Sequence, residues 1–220
     1  MKKKVGVILA GCGYLDGAEI RESVFTLLAL DKNDAEAIIM APNIEQHHTV
    51  NHLTGEEVNH NRNVLEESAR IARGKIQDIT KVNIDELDAL VLPGGFGVAK
   101  NLSSLAFKGA EGKMNPEVQK VIEKVHKANK PIGAICISPA VLCLALGKEA
   151  PEVTIGNDVG TAQAIEVMGA KHINCEVDEI HIDKKLKIVT TPAYMFDDAP
   201  ISKVALGIEK CVTQVMNFLK

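Results

Sequence analysis

One cysteine of the five sits in a setting suited to nucleophilic chemistry. Cys136 falls where the apolar run Pro131-Ile132-Gly133-Ala134-Ile135 meets Ile137-Ser138-Pro139-Ala140, a strand passing straight into a helix. Gly133 and Ala134 leave room for a tight turn, and Pro139 suits a first helical turn, where its missing N–H is not needed. A thiol at such a helix start faces free N–H groups and the positive end of the helix dipole, which favour thiolate. Free cysteines more often behave as small buried hydrophobes, and Cys12, Cys143, Cys175 and Cys211 are read that way. Only Cys136 has the strand, turn and helix order of a nucleophile elbow.

Two further segments carry chemical capacity. Glu19 and Glu22 are spaced i and i+3 and so share one helix face, from which either could hold a proton beside a thiol. The plainer reading makes both of them first-turn acids that complement the helix dipole. Pro93-Gly94-Gly95-Phe96-Gly97 frees backbone N–H groups at Gly94 and Gly95, because glycine reaches conformations that other residues avoid. With the N–H groups at Cys136 and Ile137 they would form an oxyanion hole; alone, the motif is an ordinary tight turn.

These segments need a scaffold that brings them together. Lys4 to Ala10, Ala35 to Ala41, Leu87 to Leu92 and Pro131 to Ile135 are near-continuous apolar runs, the pattern of strands covered on both faces in a parallel sheet. Between them, Glu19 to Leu30, Asn63 to Ala72, and Asn115-Pro116 through Ala128 read as helices, the last with Asn115 as N-cap. Pro139 to Leu146 continues the helical series. A short strand over Val153 to Gly156 and a helix over Asp158 to Met168 follow. A hairpin comes next, Val177 to Ile182 and Leu186 to Thr190 about Asp183-Lys184, and a helix over Ile201 to Phe218 closes the chain. This rhythm predicts a doubly wound, three-layer α/β sandwich built as one domain over 1–220. If the first, third and fourth strands are neighbours, Gly11 to Gly17, Pro93 to Gly97 and Cys136 converge at the carboxyl edge of the sheet, where such folds bind ligands.

Composition removes other classes. With 25% charged residues and a net charge of −4 over 220 residues, there is no basic field for nucleic acid. Five cysteines without C-x-x-C spacing argue against a disulfide framework or structural zinc and suggest a reducing compartment. Lys2 to Cys12 imitates a lipoprotein signal, but Val5 to Leu9 is shorter than the roughly 7–15 apolar residues of an export segment. No run approaches the roughly 18 apolar residues of a membrane span, so neither export nor membrane insertion is expected and a cytoplasmic protein is. Gly11 to Gly17 is one residue too long for a dinucleotide fingerprint, and Met40-Ala41-Pro42 lacks the ribose-binding acid. His47, His48, His52 and His60 cluster, with His48 and His52 at helical spacing, yet acidic or cysteine co-ligands are missing; a polar surface excursion is expected rather than a metal site. No cofactor is expected.

Several longer stretches carry a resemblance. Lys3-Lys4-Val5-Gly6-Val7-Ile8-Leu9-Ala10-Gly11-Cys12-Gly13-Tyr14-Leu15-Asp16-Gly17-Ala18-Glu19-Ile20 is similar to the isoprenoid-biosynthesis glyoxalases, in the PfpI-like branch of the class I glutamine amidotransferase-like superfamily. Asn51-His52-Leu53-Thr54-Gly55, Leu92 to Gly97, Lys100-Asn101-Leu102-Ser103 and Val189-Thr190-Thr191-Pro192-Ala193-Tyr194-Met195 extend the likeness over nearly the whole chain. It implies a flavodoxin-like sandwich, Cys136 as nucleophile, Glu22 as the matching glutamate with Glu19 as the alternative, and a homodimer. Protease-like relatives have histidine directly after the cysteine where this chain has Ile137, glutaminases have a His-x-Glu pair that Thr191 to Asp198 lacks, and Gly156-Asn157-Asp158 offers no third histidine. Hydrolysis of amides loses support, and a cysteine–carboxyl dyad fits rearrangement of a small dicarbonyl or aldehyde substrate. The resemblance implies conversion of glyoxal to glycolate without glutathione. A thiol-based redox sensor is the alternative of a different class, with an inactive scaffold for isoprenoid metabolism behind it.

Overall fold

The computed structural model describes residues 2–220. In chain order the elements are β1 (Lys4–Ile8), α1 (Ile20–Lys32), β2 (Glu36–Ala41), α2 (Val64–Ile71), β3 (Gln77–Asp78), β4 (Ala89–Leu92), α3 (Phe96–Lys100), α4 (Leu105–Lys108), α5 (Pro116–Lys127), β5 (Ile132–Ile135), α6 (Ser138–Leu146), β6 (Glu152–Val153), α7 (Val159–Val167), β7 (Lys171–His172), β8 (His181–Asp183), β9 (Ile188–Thr191) and α8 (Ile201–Asn217). Seven strands form one sheet in the order β3-β2-β1-β4-β5-β9-β8, parallel except where β8 turns back along β9. Helices flank it in the flavodoxin-like arrangement. All residues of β4, β5 and β9 are buried, which is why their sequences show no alternation.

Register aligns the carboxyl ends that matter. Val7 pairs with Val91, Val91 with Gly133, and Gly133 with Val189. The loops leaving β1, β4, β5 and β9 therefore emerge side by side. Connections after β1 and β4 run to opposite sides of the sheet's middle, and the crevice this opens is where doubly wound sheets bind ligands.

Local signals work as expected where caps define them. Asn115 Oδ1 accepts the N–H groups of Glu117 and Val118 at 3.0 and 3.3 Å, an N-cap worth about 1 kcal/mol. Asn63 and Asp158 cap α2 and α7 in the same way. The structure differs in its shortest pieces. β6 is two residues long and pairs with β7 outside the main sheet, and β3 and β7 are polar dipeptides that carry no apolar run to read. α3 starts directly after Gly95, so the Pro-Gly-Gly turn is also a helix start. Residues 43–63 hold no helix, so the i, i+4 spacing of His48 and His52 is not realised in space.

Candidate active site

Cys136 occupies the tight turn between β5 and α6 with φ of +62°, the left-handed region that a non-glycine residue enters at a cost of order 1–3 kcal/mol. The conformation is held by neighbours. Its N–H donates to the Thr191 carbonyl at 3.0 Å, and Ser138 Oγ, at the start of α6, donates to the Pro93 carbonyl at 2.7 Å. The elbow is thereby tied to the ends of β9 and β4, and the thiol is pushed out of the strand into the crevice.

Glu22 reaches the same point from the first turn of α1. Its carboxyl is fully buried and accepts two backbone N–H groups, Gly94 on Oε2 at 2.9 Å and Tyr194 on Oε1 at 3.1 Å. The Cys136 thiol stands beside it, both bordering the space next to Gly94. Gly94 makes this meeting possible. A Cβ there would come within 2.4 Å of Cys136 Cβ, 2.6 Å of Glu22 Oε2 and 2.9 Å of Cys136 Sγ.

Burial pushes the Glu22 carboxyl up to about 8, and the charge of Glu19 adds to the rise; the two backbone N–H groups and the thiol pull less strongly the other way. Burial also raises the Cys136 thiol well above its usual value, and the Glu22 charge raises it further, outweighing N–H groups of Gly95 and Ile137 aimed at the sulfur. The expectation of a thiolate favoured by the helix start is thus corrected. The dipole of α6 is present, but desolvation and a neighbouring carboxylate are the larger effects. The two groups titrate as a pair that holds its protons at neutral pH.

Glu19 stands apart from this pair. It is the N-cap of α1, with Oε2 accepting the Glu22 N–H at 2.6 Å, and its pKa is raised by burial. Its contribution is the one that the plainer reading gave it, together with a field on Glu22. Gly95 of the glycine loop and Ile137 of the elbow direct their N–H groups at the sulfur, whereas Gly94 spends its own on Glu22 and is not free to hold a substrate oxygen. Gly94 as an oxyanion donor is corrected accordingly.

The three loops do converge. Glu19 N–H donates to the Gly94 carbonyl at 2.9 Å, Phe96 N–H to the Tyr14 carbonyl at 2.8 Å and Gly97 N–H to the Gly17 carbonyl at 2.9 Å. Sequence reasoning missed Tyr194, which holds Glu22 by its backbone and accepts the Arg21 guanidinium on its hydroxyl at 2.9 Å. Pro192, breaking off the apolar strand before Tyr194, was the available signal, and the structure shows a tight turn there with Ala193 at φ of +45°. The histidines lie apart from one another's ligands: His48 faces Glu57 at 3.7 Å and His52 faces Asp16 at 3.8 Å. Among the described residues no group of three or more His, Cys, Asp or Glu is placed to hold a metal, all five cysteines are free thiols, and no helix is long and apolar enough to cross a membrane.

Residues 14–190 match the family model described as the DJ-1/PfpI family. The chain belongs to the DJ-1/PfpI family. Among its relatives is the human mitochondrial glutamine amidotransferase-like class 1 domain-containing protein 3, 45% identical over 97% of this chain and 82% of that one. Among solved structures, the isoprenoid biosynthesis protein with amidotransferase-like domain from Ehrlichia chaffeensis is 41% identical with a TM-score of 0.93, over 99% of this chain and all of that one. Glyoxalase III of Candida albicans, 13% identical with a TM-score of 0.62 over 97% of both chains, shares the DJ-1/PfpI fold. The human relative is named as mitochondrial, as are matching relatives from rat and zebrafish, and this overturns the expectation of a cytoplasmic protein. The shortness of the apolar run Val5 to Leu9 bears only on export and leaves other destinations open.

Proposed function

We propose that this DJ-1/PfpI protein is a glutathione-independent glyoxalase, of lyase type, that rearranges glyoxal to glycolate on Cys136 and Glu22. The observation that carries the reading is a buried carboxyl, kept protonated near neutral pH, in contact with a buried thiol at an elbow. Such a pair can give and take protons around a carbonyl from within an apolar pocket.

Loss of one proton makes the pair reactive. Cys136 Sγ attacks one aldehyde carbon, the S–C bond forms, and the carbonyl oxygen takes the proton held by the pair, giving a hemithioacetal and a Glu22 carboxylate. Glu22 then removes the hydrogen from that carbon to give an enediolate, the proton on the first oxygen passes to the second, and Glu22 returns its proton to the neighbouring carbon. One carbon is oxidised and the other reduced, and the product of this step is a thioester of glycolate. Water adds to the thioester, the C–S bond breaks, and glycolate leaves with the thiol restored. In this reading the Gly95 and Ile137 N–H groups, directed at the sulfur before it reacts, pass to the oxygen that gains charge in the addition steps, a contribution of the kind worth roughly a hundredfold or more in rate.

A redox sensor needs a thiol that already stands as thiolate, whereas in the proposed reaction Glu22 can take the thiol proton as the sulfur attacks, so the burial that raises the Cys136 thiol weighs more against the sensor. Proton NMR of purified protein with glyoxal and no added thiol tests the proposal. Glycolate should accumulate with the wild type and not with Cys136→Ser; glyoxal left unchanged by the wild type would refute it.

A further inference from the structure

Residues 42–63, between β2 and α2, carry four of the seven histidines, and the proposed reaction uses none of them. This insert is fastened to the site loops. Asn101 Nδ2 donates to the carbonyls of Ala10 and Asp16 at 2.9 and 2.8 Å, and Asn101 Oδ1 accepts the His47 N–H at 2.9 Å. Asp16 is fully buried, and its Oδ2 accepts the Val50 N–H at 2.7 Å. Its other oxygen, Oδ1, is buried without a hydrogen-bond partner, a state that costs about 1–3 kcal/mol.

The group nearest to answering that oxygen is His52, whose Nε2 lies 3.8 Å away. With its hydrogen on Nδ1, donated to the Val50 carbonyl at 3.1 Å, the ring accepts the Leu15 N–H on Nε2 at 3.3 Å. A proton on Nε2 ends that acceptance, because a protonated ring nitrogen only donates. The charged ring would then have Asp16 Oδ1 beside it. Around His52 the other charged groups are committed elsewhere: Glu57 faces His48, and Lys100 Nζ sits on the Leu15 carbonyl at 2.9 Å, while Tyr14 presents an uncharged ring edge at 5.6 Å.

We infer that His52 and Asp16 are a positioning pair for the Cys136 site: neutral His52 holds Leu15 and the loop around it, and protonated His52 exchanges Leu15 for Asp16 Oδ1. The consequence reaches the sulfur over a short path. The Tyr14 and Gly17 carbonyls on this loop accept the N–H groups of Phe96 and Gly97, on the residues that follow Gly95. Gly95 packs on the same loop so closely that a Cβ would come within 2.5 Å of the Gly17 carbonyl oxygen, and its N–H points at Cys136. Releasing Leu15 loosens the surface against which that N–H is set.

The inference rests on the reading of Cys136 as nucleophile, and the test separates the two. Alkylation of Cys136 by iodoacetamide, followed by mass spectrometry, and glyoxal turnover are measured at intervals from about pH 8 to about pH 5. The proteins are wild type, His52→Phe, His52→Gln and Asp16→Asn. Glutamine supplies an acceptor for Leu15 that takes no proton. His52→Phe should slow both reactions about tenfold at pH 8 with KM within about twofold, less than the loss from removing an oxyanion donor outright, and His52→Gln should restore them. On going to pH 5 the wild type should fall about tenfold further than His52→Gln, and Asp16→Asn should remove that difference. Alkylation with this pattern but no glyoxal turnover in any protein would refute the proposed reaction and support the positioning pair. Superimposable pH profiles for wild type and His52→Gln would overturn the pair, whether or not His52→Phe folds.

Discussion

Glu22 and Cys136 meet across a gap that exists because residue 94 is glycine: the Gly94 N–H binds Glu22 Oε2 at 2.9 Å, and a Cβ on the same residue would strike both side chains. One backbone position thus holds the carboxyl and makes room for the sulfur.

Gly94→Ala should therefore abolish turnover while the fold survives. The added methyl must displace Cys136 Cβ, 2.4 Å away, or the carboxyl. Overpacking of this kind costs about 1–3 kcal/mol, and displacement of reacting groups by about 1 Å costs about a hundredfold in rate. A thermal melt shifted by several degrees with glyoxal turnover down at least about a hundredfold is the expected pair of results.

The pH dependence follows from the sign of the Glu22 shift. Below about 8 the carboxyl is protonated and the pair lacks a base; above it, one proton has left. Turnover at saturating glyoxal should rise about tenfold per pH unit below that value and level off above it. A rate independent of pH between 6 and 9 would contradict this assignment.

The same shift weakens the fold. In the unfolded chain Glu22 ionises at its usual 4.5, and in the folded protein at about 8, so the native state binds the extra proton between these values. The contribution of Glu22 to stability is full below about 4.5 and is lost as pH rises towards 8, an amount of order 5 kcal/mol. Glu22→Gln removes the titration. Its melting temperature should decline less than that of the wild type between pH 5 and pH 8, measured by calorimetry.

Glu19→Gln keeps an acceptor for the Glu22 N–H but deletes the charge that helps to raise Glu22. The rising limb of the pH profile should move to lower pH with turnover retained. Glu19→Ala also loses the cap, at about 1 kcal/mol of stability, read from denaturant unfolding.

The sequence made the elbow, the glycine loop and the parallel sheet legible because each is written locally, in Pro139 after Cys136, in Gly94-Gly95, and in unbroken apolar strands. Glu22 was separable from Glu19 only by the resemblance; in space the two differ by burial, which depends on Gly94 and Tyr194 closing on the first turn of α1. Contacts such as Tyr194 to Glu22 or Val50 to Asp16 join residues 172 and 34 positions apart, and no periodicity marks them. The thiol's protonation was misread for the same reason. A helix start can be seen in a sequence, but the desolvation that outweighs it arises only when the loops close over the sulfur.

The most direct measurement of the central claim is glyoxal turnover by Glu22→Gln beside Glu19→Gln at pH 8. Removing the proton relay should cost about 10²–10⁴-fold, whereas the Glu19 variant should stay within about tenfold of the wild type. Glu22→Gln turning over glyoxal at close to the wild-type rate would contradict the dyad.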